Sequence, residues 1–158
     1  MGFVLITNHR VAPDLIETVF SLSHRFFWLP LDQKLLIDKR NTRHFRGWEP
    51  EGAESTNNRP DLREQIDLWS EHPARDPLVQ LPYLRLLGPN QWLPEAILPG
   101  FRTTLGQWFT DLGRLADDLI ALLARGLALP DDHFETLFGA ERMSFTKLIR
   151  YPATPPGG

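Results

Sequence analysis

Apolar side chains recur along this chain with two periods, and each period predicts a different element. Phe101, Leu105, Trp108, Leu112, Leu115 and Leu119 follow one another at three- and four-residue steps, with Ile120 beside the last. Phe109, Ala116 and Leu123 widen the stripe, while Arg102, Thr104, Asp111, Arg114, Asp117 and Asp118 fall mostly off it. This period predicts one long amphipathic helix over 101–129. Pro99-Gly100 marks its start, and Gly126 stands where a left-handed C-terminal cap is usual. No other stretch carries as much apolar surface, so the other elements are expected to pack on this helix.

A second helix opens at Pro13-Asp14 and stops at Pro30. Leu15, Ile16, Val19, Phe20, Leu22, Phe26 and Phe27 form its apolar face. Leu31 to Asp38 reads as a further short helix with Leu35 and Leu36 facing in. Before these, Phe3-Val4-Leu5-Ile6-Thr7 is a short apolar, partly β-branched run that reads as a buried strand. The helical period disappears from Lys39 to Arg63, where Asn, Gly and Pro mark loop. Within that loop, His44-Phe45-Arg46-Gly47-Trp48 reads as a short edge strand, and the alternating Gln65-Ile66-Asp67-Leu68-Trp69-Ser70 as its partner. Residues 72–99 are again punctuated by proline, with Gly88-Pro89-Asn90-Gln91-Trp92 as a turn. Past the long helix, Pro130-Asp131-Asp132 starts a short helix capped by Asp131 or Asp132. Met143 to Tyr151 then returns to extended structure. A strand in this last position is expected to need a partner from later sequence, and an unpaired edge there predicts a marginally stable, aggregation-prone chain. The reading is α+β, helix-rich with a few short strands.

A length of 158 residues suits one core. A net charge of −3 gives no basic field for nucleic acid or anionic lipid. No apolar run approaches the roughly 20 residues that span a bilayer. There is no cysteine, which excludes thiolate metal sites and cysteine nucleophiles and suits a cytoplasmic setting.

Complete catalytic sets are absent from the sequence. His133-Phe134-Glu135 is the one His-x-acid pair, but no histidine follows it to finish a facial iron site. Ser23-His24 are neighbours on one helix and do not face each other. No Gly-x-Ser-x-Gly turn or phosphate-binding glycine loop occurs. Asp117-Asp118 reads as a solvated helix face. Among the tryptophans, Trp48 and Trp69 lie on the two paired strands and are the ones placed to touch a ligand. Arg46, Arg59 and Arg63 surround the same loop and read first as surface or ion-paired arginines, with a bidentate carboxylate clamp as the alternative. On the last strand, alternation puts Lys147 and Tyr151 on one face and Arg150 on the other. A tyrosine hydroxyl beside a cation is a carboxylate-binding pair.

The order of short motifs adds a resemblance. Gly2-Phe3 through Asn8-His9, Phe26-Phe27-Trp28-Leu29-Pro30 with Lys34, and Arg46-Gly47-Trp48 are the first three. Asp61-Leu62-Arg63-Glu64 with Ile66-Asp67, Gly88-Pro89-Asn90-Gln91-Trp92 with Leu98-Pro99-Gly100-Phe101-Arg102, and Leu148-Ile149-Arg150-Tyr151-Pro152 follow. In this order they resemble the N-terminal half of the isopenicillin N synthase-like non-haem iron oxygenases, the 2-oxoglutarate-dependent dioxygenase superfamily. Arg10 stands where the family usually has glycine, and another strand and helix usually precede Gly2.

The resemblance implies a helix-rich N-terminal domain over 1–142 and, over 143–158, the first strand and loop of a double-stranded β-helix (jelly-roll) catalytic domain that the chain stops before completing. It implies Fe(II) held by His-x-Asp and a distal His, and 2-oxoglutarate held by Arg-x-Ser, all past Gly158. Isopenicillin N synthase itself works without 2-oxoglutarate. No catalytic residue or metal ligand is therefore expected here, and neither cofactor is expected to bind this chain alone. Tyr151 matches the tyrosine that contacts a co-substrate or substrate carboxylate. Arg46, Trp48, Arg63 and Lys147 are the further binding candidates. The expected function is the N-terminal fragment of an oxygenase acting on a small organic substrate, with the jelly roll as its intramolecular partner. The alternative is a non-catalytic, stand-alone binding module whose last strand pairs with a partner's sheet edge.

Overall fold

In chain order the elements are α1 (Pro13–Phe27), α2 (Leu31–Lys34), β1 (Gly47–Glu49), β2 (Ser55–Thr56), β3 (Arg59–Pro60), β4 (Glu64–Trp69), α3 (Phe101–Gly126), α4 (Glu135–Phe138) and β5 (Phe145–Arg150). They come from a computed structural model that describes residues 3–74, 82–138 and 143–153. β1, β4 and β5 form an antiparallel sheet in the order β1-β4-β5. The pairing of β1 with β4 follows the alternation in the sequence. β5 does not wait for later sequence, because it pairs along its whole length with β4, from Glu64↔Arg150 to Trp69↔Phe145.

The core lies where α1 and the start of α3 meet one face of this sheet. Even-numbered positions of β4 supply Ile66 and Leu68, β1 supplies Trp48, and β5 adds Leu148. α1 contributes Val19, Leu22, Phe26 and Phe27. Phe26 stacks on Phe101 of α3 at 5.7 Å. Phe20, expected in the apolar face, is 72% exposed because it falls one position round from the arc of Val19, Leu22 and Phe26.

Four other expectations are corrected. Leu35 and Leu36 point outward, since α2 tightens into a 3₁₀ turn over Leu35–Ile37. Its three-residue repeat aligns Lys34 with Ile37 on the buried side instead. Phe3–Thr7 is exposed coil, not a buried strand. Among the described residues nothing pairs with it, and Asn8 and Arg10, both at positive φ, turn the chain away. The loop over 39–63 contains the hairpin β2–β3, closed by Asn57-Asn58 with both residues left-handed, the conformation a two-residue primed turn requires. The cap assigned to Asp131 or Asp132 is also different: Asp131 pairs with Arg125, and α4 begins only at Glu135.

α3 is the predicted long helix, but its burial is uneven. Phe101 and Leu105 are buried, the middle of the stripe is half-buried, and Leu122 and Leu123 are 57% and 63% exposed. Length explains this. At 1.5 Å per residue α1 spans roughly 22 Å and α3 roughly 39 Å, so α1 covers about half of its partner. Among the described residues no helix is long and apolar enough to cross a membrane.

The end of α3 also departs from the pattern. Gly126 remains helical, and Ala128 takes the left-handed position at φ 57°. The Ala128 amide donates to the Arg125 carbonyl and the Leu129 amide to the Ala124 carbonyl, the paired bonds of a Schellman cap.

A buried carboxylate joins four elements below the core. Glu64 accepts from Lys34 Nζ at 2.8 Å, Trp48 Nε1 at 3.0 Å and Arg150 Nη1 at 2.6 Å. Burial works against its charge, but the Lys34, Arg150 and Trp48 bonds prevail and hold its pKa below the ordinary 4.5.

Two outcomes are expected. Ala128→Gly removes the left-handed strain and raises stability by about 1 kcal/mol, roughly 3 °C in Tm. Gly126→Ala, whose added Cβ meets nothing within 4 Å, gains about 0.5–1 kcal/mol. Thermal melts followed by circular dichroism check both. The stability Glu64 supplies is present above its ordinary 4.5 and is lost as pH falls through its depressed native value. Glu64→Gln is therefore expected to cost about 3 kcal/mol at pH 7 and to flatten the acid side of the stability profile, measured by urea melts between pH 3 and 7.

Candidate functional site

The odd-numbered positions of β4 face away from the core. Gln65 and Asp67 point there beside Glu49 of β1 and Lys147 of β5, and Tyr151 continues the β5 alternation. This face is polar but largely covered. Lys39, from the turn after α2, reaches in with Nζ 2.7 Å from Glu49 Oε2 and 2.5 Å from Asp67 Oδ2, its side chain only 5% exposed. Burial opposes the Lys39 charge, yet the two carboxylates outweigh it and raise its pKa, so the ammonium stays protonated.

A second group lies alongside. Arg63 Nη2 bonds Glu54 at 2.5 Å and lies 3.2 Å from Asp61. The Tyr151 oxygen and the Glu54 carboxylate, both accepting from the guanidinium, push the Arg63 pKa up. Lys147 Nζ is 3.6 Å from Glu54 and 3.5 Å from Asp67. Burial would raise the Glu54 pKa, but Arg63, Gln65 and Lys147 together hold it down. Lys39, Arg63 and Lys147 thus face four carboxylates, Glu49, Glu54, Asp61 and Asp67.

The pairing is incomplete. Gln65 Oε1, Asp67 Oδ1, Arg63 Nε and Trp69 Nε1 are buried without a hydrogen-bond partner among the described residues. All four lie on odd positions around β4, Asp67 Oδ1 having the Lys147 ammonium 3.5 Å away, while Arg46 Nε and Trp108 Nε1 are further such atoms elsewhere. Buried groups of this kind are costly unless something meets them.

Of the residues singled out in the sequence, Arg63 and Lys147 come together around Glu54, with Tyr151 beside Arg63. Arg46 and Trp48 do not join them. Arg46 is fully buried and donates to the carbonyls of Ser70 at 2.9 Å and Leu86 at 2.7 Å and to Asn90 Oδ1. Burial lowers its pKa, with Glu71 acting in the opposite direction. Trp48 is 2% exposed in the core, its indole bonded to Glu64. Both are buried frame residues. Arg59 stays exposed on β3. Trp69 does lie on the polar face and packs against Phe145 at 4.5 Å. Lys39, Glu49, Glu54, Gln65 and Asp67 were not singled out. The polar phase of β4 carried a signal for Gln65 and Asp67. Nothing local marked Lys39, which arrives from 28 residues away.

The donor set fits one expected cofactor and not the other. Glu49, Glu54 and Asp67 place carboxylate oxygens within 4.8 Å of one another. Lys39 already holds the cation position between two of them, and no histidine takes part. His44 is tied to the Arg85 carbonyl, His24 accepts from the Trp28 indole, and His9 accepts from the Val11 amide. These described residues do not form a facial iron site. A carboxylate suits the face better, since Lys147, Arg63 and the Tyr151 hydroxyl all donate.

Comparison with known proteins agrees with the fold. Residues 1–95 match the family model described as "non-haem dioxygenase in morphine synthesis N-terminal". A 2-oxoglutarate-dependent dioxygenase, frbJ, of Dothideomycetidae sp. (strain 11243) is 36% identical over 152 residues, covering 96% of this chain and 40% of that protein. Clavatol oxidase claD of Penicillium crustosum is 32% identical, covering 96% of this chain and 48% of its own. The full-length Neurospora crassa T7H, solved in complex with alpha-KG, superposes with a TM-score of 0.71 at 25% identity, covering 95% of this chain and 47% of that one. This chain spans less than half the length of each. On the family match and the shared fold, the chain belongs to the N-terminal region of the non-haem, 2-oxoglutarate-dependent dioxygenases.

Proposed function

We propose that the whole protein is a cytoplasmic, Fe(II)- and 2-oxoglutarate-dependent oxygenase of a small organic substrate, and that this chain forms one wall of its pocket. The observation that carries this reading is the buried, charged and incompletely paired face of the sheet. Fe(II), held by residues outside those described, would supply oxygen activation. This chain's residues bind and orient. Tyr151 and Lys147 take a carboxylate of the co-substrate or substrate, and Arg63 holds the Tyr151 hydroxyl in place. Lys39, locked between Glu49 and Asp67, offsets part of their negative charge beside that anion. Residues 1–142 act as the supporting domain and 143–158 as the entry to the jelly roll. The jelly roll covers the polar face and the exposed half of α3 around Leu122 and Leu123.

A second reading has one observation behind it. β5 is the outer strand of the sheet, and its far edge is unpaired among the described residues. That edge suits strand addition by a partner in a non-catalytic binding module.

The test is a chimera in which residues 1–158 replace the matching part of clavatol oxidase. It is expected to convert 2-oxoglutarate to succinate in the presence of Fe(II) and O2. Tyr151→Phe is expected to raise the KM for 2-oxoglutarate or substrate about tenfold, the loss of one hydrogen bond to a charged group, with little change in kcat. Unchanged KM values for both would remove Tyr151 from the site. A folded but inert chimera, with the isolated chain capturing an extended peptide along β5, would favour the second reading.

A further inference from the structure

Phe45 stands out on three counts. It is a bulky residue at φ 60°, a conformation that side chains of this kind rarely adopt. Its ring is 52% exposed although it directly precedes the buried Arg46. One face of that ring lies over the Lys39 ammonium, 3.8 Å from the ring centre. Strain of this order persists where the surroundings hold it, and it collects at ligand sites. Beside the ring is a cavity of about 360 Å³, within the usual range of small-ligand pockets. Pro50 and Ala53 give it apolar walls, and Asp38, Lys39, Arg40 and Glu49 give it polar ones.

The charges at the cavity select its ligand. Arg40 grips Asp38 through Nε at 2.9 Å and Nη2 at 2.7 Å, so these two neutralise each other. Lys39 is shared by Glu49 and Asp67. Carboxylate is left in excess, which excludes an anion. Glu49 Oε2 is used by Lys39 and Gln65, while Oε1 accepts no hydrogen bond among the described residues. Lys39 and Phe45 line the cavity together, so an electron-rich ring placed there meets both the Phe45 ring and the cation.

We propose that this cavity is a binding site for a neutral, planar, electron-rich aromatic molecule bearing a hydroxyl or N–H group, with Phe45 as its stacking platform and Glu49 as its acceptor. The site belongs to this chain alone and does not depend on the oxygenase reading, because it needs neither iron nor 2-oxoglutarate.

Titration of the ¹⁵N-labelled chain tests it, with phenol as probe. Phenol is expected to shift the amides of Lys39, Phe45, Glu49 and Ala53 saturably. Anisole, which lacks the donor, and cyclohexanol, which lacks the ring, are expected to need about tenfold higher concentrations. Ala53→Phe, which fills the cavity and leaves the Lys39 contact in place, is expected to abolish the phenol shifts with Tm unchanged. Phe45→Gly removes ring and strain together. It is expected to lose phenol binding and to raise Tm. Absence of saturable shifts, equal binding of phenol and cyclohexanol, or phenol binding unaffected by Ala53→Phe overturns the proposal. So does a lower Tm for Phe45→Gly, which would make the ring a cover for Lys39.

Discussion

Everything in this fold is registered against one carboxylate. Glu64 gathers Lys34 from α2, Trp48 from β1 and Arg150 from β5 on a side chain that is 6% exposed. A buried anion is tolerated only when its partners are in place, and the partners here sit on three different elements. The hub therefore fixes where those elements lie relative to β4. It also fixes phase. Glu64 shares the even face with Ile66 and Leu68, so a slip of one residue would bring Gln65 and Asp67 into the core and expel both aliphatics.

Once that phase is set, the other face of the sheet has no choice of content. It carries the polar residues Gln65, Asp67 and Lys147 beside the aromatic pair Trp69 and Phe145, and the turn after α2 brings Lys39 over it. The structure meets this by matching charge with charge: Lys39 against Glu49 and Asp67, Arg63 against Glu54, and Lys147 between the two groups. The pairing has a gradient. Lys39 is tightly held at one end, whereas Lys147 is more than 3.4 Å from either carboxylate and Tyr151 is 68% exposed at the other. The loosely held end is the one with donors to offer an incoming anion, and Arg63, whose Nε has no hydrogen-bond partner among the described residues, shares Glu54 with Lys147 there.

How much of this the sequence disclosed depended on whether the deciding force was local. The helical periods of α1 and α3, and the alternation of β4, are local, and each element was read within a few residues of its ends. The burial of α3 was not legible, because a stripe records what a helix is able to bury and the length of its neighbour decides how much it does bury. The cap failed for a similar reason: glycine is the usual left-handed residue, but the helix runs past Gly126 and leaves the position to Ala128. Phe3–Thr7 has strand composition without a strand beside it. The cluster on the polar face was half legible. Lys147 and Tyr151 followed from alternation on one strand, while Lys39 and Glu54 arrive through loops whose course no period encodes.

The motifs that made the family recognisable have a physical reason to be recognisable. Asn90 pairs its side chain with both the amide and the carbonyl of Trp69, extending the ladder where β4 ends. Gln91 Nε2 donates to the carbonyls of Asp38 and Arg46. Arg46 closes the same loops, and at Gly47 a Cβ would collide with the Ile37 carbonyl and the Gln91 amide. Lys34, Glu64 and Arg150 form the hub. These side chains are buried and bonded to one another, so changing one strands its partners and costs more than a surface exchange. Residues that face the cavity and the open end of the polar face, such as Phe45, Ala53 and Tyr151, carry no such mutual constraint. The sequence thus declares the frame through its buried polar bonds, and the chemistry of what the frame receives is written in the side chains those bonds leave exposed.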